Sequence, residues 1–250
     1  MFRLQHVILA WVALVAMAGT LHAGTVYWQG TISDKWATGG NWSGGSKPGA
    51  ADNVIVDASA TRTNVVLTNS TTIISLVISN ATLVFTNWTT KLTTSGNVTI
   101  RKNGRITLPS GFSSTQMSNR VHIACVDLTV MQGGTLAVDG KGYSFDTGPG
   151  KGDGPGAYAG GGGHGGKGGD GDGYIGGNSH DPTNAPMLPG SGGGSFQSGV
   201  PANQGGKGGG AIYVQASGTV TIDGTISANG LNSGWACGGG AVACFGNCGR

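Results

Sequence analysis

The sequence predicts an all-β protein, a parallel β-helix (solenoid) that carries a glycine-rich insertion. Three observations lead there. The 11 acidic residues are all Asp, with no Glu. Glu is a good helix former, Asp prefers turns and caps, and the abundant Thr, Ser, Asn, Val and Gly suit short strands joined by tight turns. Second, a unit of the form apolar-x-apolar, turn, apolar-x-apolar recurs along the chain. Third, residues 148–210 hold 27 glycines in 63 positions, flanked on both sides by such units.

Taken in order, residues 1–23 read as a secretory signal peptide. Arg3 gives a short basic head, Val7–Ala18 is an apolar run of 12 residues, and Leu21-His22-Ala23 resembles a small-residue cleavage site. A membrane span needs about 20 apolar residues, so no span is expected once the signal is removed. The expected location is extracellular, either secreted or at the cell surface.

Residues 24–147 are expected to form the solenoid with an N-terminal cap. Trp28, Trp36 and Trp42 sit among turn residues near its start. Large aromatics there read as a plug over the open end of a stacked core, with a sugar-stacking platform as the other use of such rings. The repeat follows. Leu76-x-Ile78 leads through Asn80 to Leu83-x-Phe85. Val98-x-Ile100 leads through Asn103-Gly104 to Ile106-x-Leu108, and Leu128-x-Val130 through Gly133-Gly134 to Leu136-x-Val138. Val220-x-Ile222 leads through Asp223-Gly224 to Ile226-x-Ala228. Alternation puts the apolar side chains of each unit on one face, and a repeat at this spacing fits stacked coils. An antiparallel β-sandwich is the alternative, because Asn-Gly and Asp-Gly between alternating runs are also strong hairpin signals.

In the insertion at 148–210, Gly-Gly-x triplets from residue 162 onward predict extended, polyproline-II-like stretches. With three residues per turn, His164, Lys167 and Asp170 would share one edge and leave bare glycine edges for close backbone packing. Residues 211–230 read as a further coil. Residues 231–250 are an atypical tail with three of the four cysteines, Cys237, Cys244 and Cys248; Cys125 is the fourth, and three complete pairings are open.

Some of these stretches resemble a known class of protein. Asn41-Trp42-Ser43 with Pro48–Val56, and Ser191–Gly194 with Gly205–Gly230, are similar to segments of bacterial secreted or surface glycine-rich parallel β-helix proteins of the autotransporter or adhesin kind. The resemblance implies a β-helical surface protein and no catalytic residues. Residues 234–250 depart from that pattern, which raises a truncated or altered C-terminus.

Chemistry-bearing motifs are sparse. Charged residues make up 10% of the chain and the formal net charge is +3, too little to argue for nucleic acid. Arg101, Lys102 and Arg105 read as a solvated turn. Residues 165–173 approach a calcium-binding glycine–aspartate repeat, with Asp170 and Asp172 as calcium candidates, but Asp172 stands where the repeat needs an apolar residue. His164, Asp170, Asp172, His180 and Asp181 could gather as transition-metal ligands, although glycine neighbours offer no rigid support. Gly163-His164-Gly165 is similar to a polygalacturonase element, yet the other elements of that family are missing and no carboxylate pair is marked. No nucleophile elbow is present. The expectation is therefore a structural or adhesive protein and not an enzyme, with no cofactor or catalytic residue. Its partners would be surface polysaccharide or other cell-surface material. The alternatives are a carbohydrate-binding or polysaccharide-cleaving β-helix, and a fragment of a larger surface protein without activity of its own.

Overall fold

The computed structural model describes residues 24–113, 117–155, 159–171, 173–182, 186–195, 205–232 and 243–245. Residues 1–23, read from the sequence as a signal peptide, together with Asp172, Cys237 and Cys248 lie outside these residues. The strands are β1 (Gly24–Tyr27), β2 (Asp52–Val56), β3 (Asn64–Leu67), β4 (Thr71–Ile73), β5 (Ser75–Ile78), β6 (Thr82–Phe85), β7 (Leu92–Thr94) and β8 (Val98–Ile100). They continue with β9 (Arg105–Thr107), β10 (Val121–Cys125), β11 (Leu128–Val130), β12 (Thr135–Ala137), β13 (Ile212–Ala216), β14 (Val220–Ile222), β15 (Thr225–Ser227) and β16 (Ala243–Phe245). A single 3-10 turn at Gly39–Asn41 is the one helical element among the described residues.

The strands make three open sheets, and from β2 onward the chain visits them in rotation. The first sheet runs β1-β2-β5-β8-β11-β14, the second β3-β6-β9-β12-β15, and the third β4-β7-β10-β13-β16. Every strand pairing is parallel. The antiparallel sandwich is thereby excluded. Asn103-Gly104 and Asp223-Gly224 are not hairpins: β8 pairs with β5 and β11, not with β9. The turn only re-aims the chain, and the hydrogen-bonding partner of each strand lies one circuit away.

The corners explain why these turn residues are needed. Asn80 and Asn103 adopt left-handed φ values of 48° and 57°, and Gly133 does so at 77°; Asn and Gly tolerate that region best. Asn103 Nδ2 donates to Asn80 Oδ1 at 2.9 Å, tying adjacent corners together. Gly104 follows, where a Cβ would run into the carbonyl oxygens of Ile78 and Arg101.

The repeat register read from the sequence is the register of the sheets. Leu76 aligns with Val98, Val98 with Leu128, and Leu128 with Val220. In the second sheet Val65, Leu83, Ile106, Leu136 and Ile226 form the equivalent row. Val54, Leu76, Val98, Leu128, Leu83 and Ile106 are fully buried. The alternate positions of the same strands face outward.

The N-terminal end of this core is closed by tryptophan. Trp28, Trp36 and Trp42 are buried, with Trp42 edge-on to both others at centroid distances of 4.9 and 4.7 Å. They act as a plug rather than a sugar platform. Asn41 holds the plug's loop: its Oδ1 accepts from Ile32 N and Ser33 N, and its Nδ2 donates to Ser33 Oγ and Lys35 O.

The glycine-rich segment leaves after β12, returns at β13, and packs as a bundle of extended stretches. Gly161 N donates to Gly169 O, Gly168 N to Gly177 O, and Gly177 N to Gly161 O, each at 2.8 Å, closing a ring of three stretches. Gly163 N to Gly150 O and Gly152 N to Gly192 O attach two more. Gly142 N to Gly208 O and Gly210 N to Val138 O bind the bundle to the end of the sheet region. The backbone polar groups thus pair without sheet ladders, which is what burial of so much main chain requires.

Candidate functional site

A polar cluster that faces outward and carries a cation with no carboxylate partner among the described residues lies on the third sheet. β10 and β13 alternate buried and half-buried residues along their whole length. Their inward Val121, Ile123, Ile212 and Val214 join the core, so His122, Ala124, Tyr213 and Gln215 are turned outward. The pairing sets His122 beside Tyr213 and Ala124 beside Gln215. Arg120 immediately precedes β10. Trp88 comes from the β6–β7 connection, just after Asn87, whose left-handed φ of 68° turns the chain there.

The Arg120 guanidinium lies 4.8 Å from the Trp88 ring centroid and 5.8 Å from that of Tyr213. Its Nε donates to Trp88 O at 3.0 Å, and an Nη lies 3.4 Å from His122 Nδ1. His122 Nε2 lies 3.1 Å from Gln215 Oε1, and its ring is 4.8 Å from that of Tyr213. Guanidinium can only donate. Nδ1 of His122 therefore accepts, and the proton sits on Nε2, pointing at Gln215.

Burial pushes the His122 imidazole below its ordinary value; the Gln215 hydrogen bond opposes this, and the charges of Arg120 and Lys91 reinforce it. His122 is neutral at pH 7. Burial also lowers Arg120, partly offset by Tyr213, but a guanidinium stays charged throughout the physiological range. Its charge has no carboxylate partner: the ion pairs among the described residues are His164–Asp181 and Lys167–Asp170. The arrangement can receive an anion.

The residues singled out from sequence are placed elsewhere. Asp170 is exposed; its two oxygens accept from Lys167 Nζ at 2.7 and 3.0 Å, and Oδ1 also accepts from Gly176 N. The Lys167 hydrogen bond, then that of Gly176, holds its carboxyl below the usual range. The other calcium candidate, Asp172, is outside the described residues.

The shared edge expected for His164, Lys167 and Asp170 is split. His164 turns inward, 4% exposed, with Nε2 3.1 Å from Asp181 Oδ2 and 2.9 Å from Leu188 O. Asp181 Oδ2 also accepts from Met187 N and Leu188 N at 2.7 Å each. His180 meets His164 edge-on at 5.5 Å and reaches Pro189 O. This buried cluster fastens the 187–189 stretch to the bundle. Among the described residues no three His, Cys or Asp side chains gather so as to hold a metal ion.

Arg101 and Lys102 line a shallow depression of about 710 Å³ with Met131, Gln132 and Asp223, while Arg105 stands exposed on β9. Cys125 is a buried free thiol, pushed up to about 11 by burial and the nearby Asp127 charge. Among the described residues no helix is long and apolar enough to cross a membrane.

Compared with known proteins, the chain matches no family model, no curated protein and no solved structure.

Sequence reasoning did not single out Trp88, Arg120, His122, Tyr213 or Gln215. The available signal was the alternation in Val-His-Ile-Ala-Cys and Ile-Tyr-Val-Gln-Ala. It marks which side chains face out, but it does not say that the two strands are neighbours across the glycine segment.

Proposed function

We propose that the three parallel sheets are the faces of a β-helix, and that the chain is a secreted or cell-surface protein with a structural and adhesive role. The observation that carries this reading is the regularity of the outer surface. Thr99, Thr129 and Thr221 align on the first sheet, and Thr82, Arg105, Thr135 and Thr225 on the second. Neighbouring strands lie about 4.8 Å apart, so these rows form rigid, mostly threonine ladders over an aliphatic core, interrupted on the second sheet by Arg105. Such a surface suits contact with other extended polymers more than it suits chemistry.

The likeness of residues 41–43, 48–56, 191–194 and 205–230 to glycine-rich surface β-helix proteins supports the same reading. The signal-like residues 1–23 fit an exported chain. For polysaccharide cleavage, the competing role for such a fold, the candidate carboxylate Asp170 is already engaged by Lys167 and Gly176.

Retention of the full chain on intact cells and on immobilised surface polysaccharide tests the proposal. Retention without release of reducing ends or unsaturated sugar products is the expected result. Product release would make the protein an enzyme, and failure to be retained by any surface would remove the adhesive role.

A further inference from the structure

We propose that Trp88, Arg120, His122, Tyr213 and Gln215 form a subsite for a carboxylate-bearing sugar, a hexuronate unit within an acidic polysaccharide. The proposal deepens the adhesive reading and rests on it. Its centre is the half-buried guanidinium of Arg120, which has no counter-ion among the described residues. A charge withdrawn from water in this way is unfavourable unless paired. The Trp88 and Tyr213 rings and the Trp88 carbonyl supply only part of that compensation. The N–H groups left over on the guanidinium match a carboxylate, which the planar fork binds in two-point fashion.

The other groups fit the rest of a sugar. With Gln215 Oε1 facing the His122 Nε2 proton, the Gln215 amide NH2 is left to donate to hydroxyl oxygens. Trp88 and Tyr213 flank the charge with aromatic surface against which ring C–H groups can lie. His122, held neutral, fixes Arg120 and Gln215 in line without adding a competing proton donor toward the ligand.

The position on the sheet favours a polysaccharide over an acidic peptide. Peptides are commonly captured by adding a strand to a free sheet edge. Here β10 and β13 are each paired on both sides, so recognition uses side chains alone on a flat face. The adjoining outward positions Thr93 and Ala124 are small and leave room for a chain to lie across the strands.

The test measures binding of the full chain to polygalacturonate, with the carboxyl-reduced polymer as neutral control and poly-aspartate as competitor. Arg120→Met removes the charge and keeps the stem, Arg120→Lys keeps the charge and removes the fork, and Arg101→Met removes a distant cation. The parent should bind polygalacturonate and not the reduced polymer. Arg120→Met should weaken binding about tenfold or more, the scale of a lost charge-assisted hydrogen-bonded contact. Arg120→Lys should weaken it by a smaller factor, and Arg101→Met should leave it unchanged. Melting curves identify a variant that fails to fold; if Arg120→Met does, the Arg120→Lys loss decides.

Equal losses at Arg101 and Arg120, or none at Arg120, would overturn the subsite in favour of diffuse charge attraction. Displacement by poly-aspartate at equal carboxylate concentration would make the ligand an acidic peptide. Equal retention of both polymers by every variant would remove the subsite and leave the adhesive reading standing. A parent that binds neither polymer but is retained by cells does the same; one that is retained by nothing removes both.

Discussion

Replacing Gly177 by alanine should destabilise the glycine bundle, while the same change at Gly169 should not. Gly177 N donates to Gly161 O at 2.8 Å on one side. On the other, a Cβ would run into the carbonyl of Gly150 and come within 2.7 Å of Lys151 O. The Gly150 carbonyl cannot simply withdraw, because it accepts from Gly163 N at 2.7 Å. Overpacking typically costs 1–3 kcal/mol, and a rigid main chain on the far side puts Gly177→Ala near the top, about 3 kcal/mol. At Gly169 an added Cβ meets nothing within 4 Å, and φ is not left-handed. There alanine acts through the unfolded chain and stabilises by about 0.4–1 kcal/mol. For a chain of this size a kcal/mol shifts the melting temperature by roughly 2–4 °C. Gly177→Ala should therefore melt roughly 6–12 °C lower, and Gly169→Ala at or slightly above the parent. Hydrogen exchange localises the effect: protection of Gly161, Gly163 and Gly168 should fall in Gly177→Ala before that of β5 or β8. Equal melting temperatures for the two variants would refute the packed bundle and make the segment a flexible linker.

Three further outcomes are expected. Asn41→Ala removes four hydrogen bonds from a fully buried side chain. It should cost about 2–4 kcal/mol by urea denaturation, since stranded partners lose about 1–3 kcal/mol each when left unpaired but some regain water. Phe85→Ala, at a fully buried position in the second sheet, should cost about 3–5 kcal/mol, whereas Thr99→Ala on the outer ladder should stay within about 0.5 kcal/mol. Stability should also fall with pH through the range below 6.5. Burial holds folded His122 below its unfolded value of 6.5, so the unfolded chain binds more protons there. The contribution is complete above pH 6.5 and is lost as pH falls through the depressed folded value. His122→Gln should show a shallower acid slope than the parent in denaturation midpoints measured from pH 7.5 to 4.5.

Much of the fold was legible because its signals are local. Alternation in Leu76-Val77-Ile78 or Val98-Thr99-Ile100 settles which side chains turn inward, whatever they pack against. The absence of Glu and the Asn and Gly at the corners argue for strands and turns on the same local grounds. The hairpin alternative survived in the sequence because Asn103-Gly104 satisfies a hairpin turn and a sheet-to-sheet corner equally well. What separates them is whether β8 bonds to β9 or to β5 and β11, a long-range fact. The expected edge of His164, Lys167 and Asp170 failed for the same reason. Triplet spacing sets a repeat along one stretch, but Asp181 and Leu188, brought in from further along the chain, turned His164 inward.

The amino-acid sequence by itself determined the class of structure, the inward and outward faces, the tryptophan plug and the place of the glycine segment. These follow from backbone preference and hydrophobic period over a few residues. Tertiary structure alone decided the neighbours. It brought β10 beside β13 across the whole glycine excursion, set His122 against Tyr213 and Gln215, and left Arg120 between two rings with no counter-ion among the described residues. A charge acquires a function from what does and does not surround it, and those surroundings are assembled from segments whose proximity no local pattern encodes.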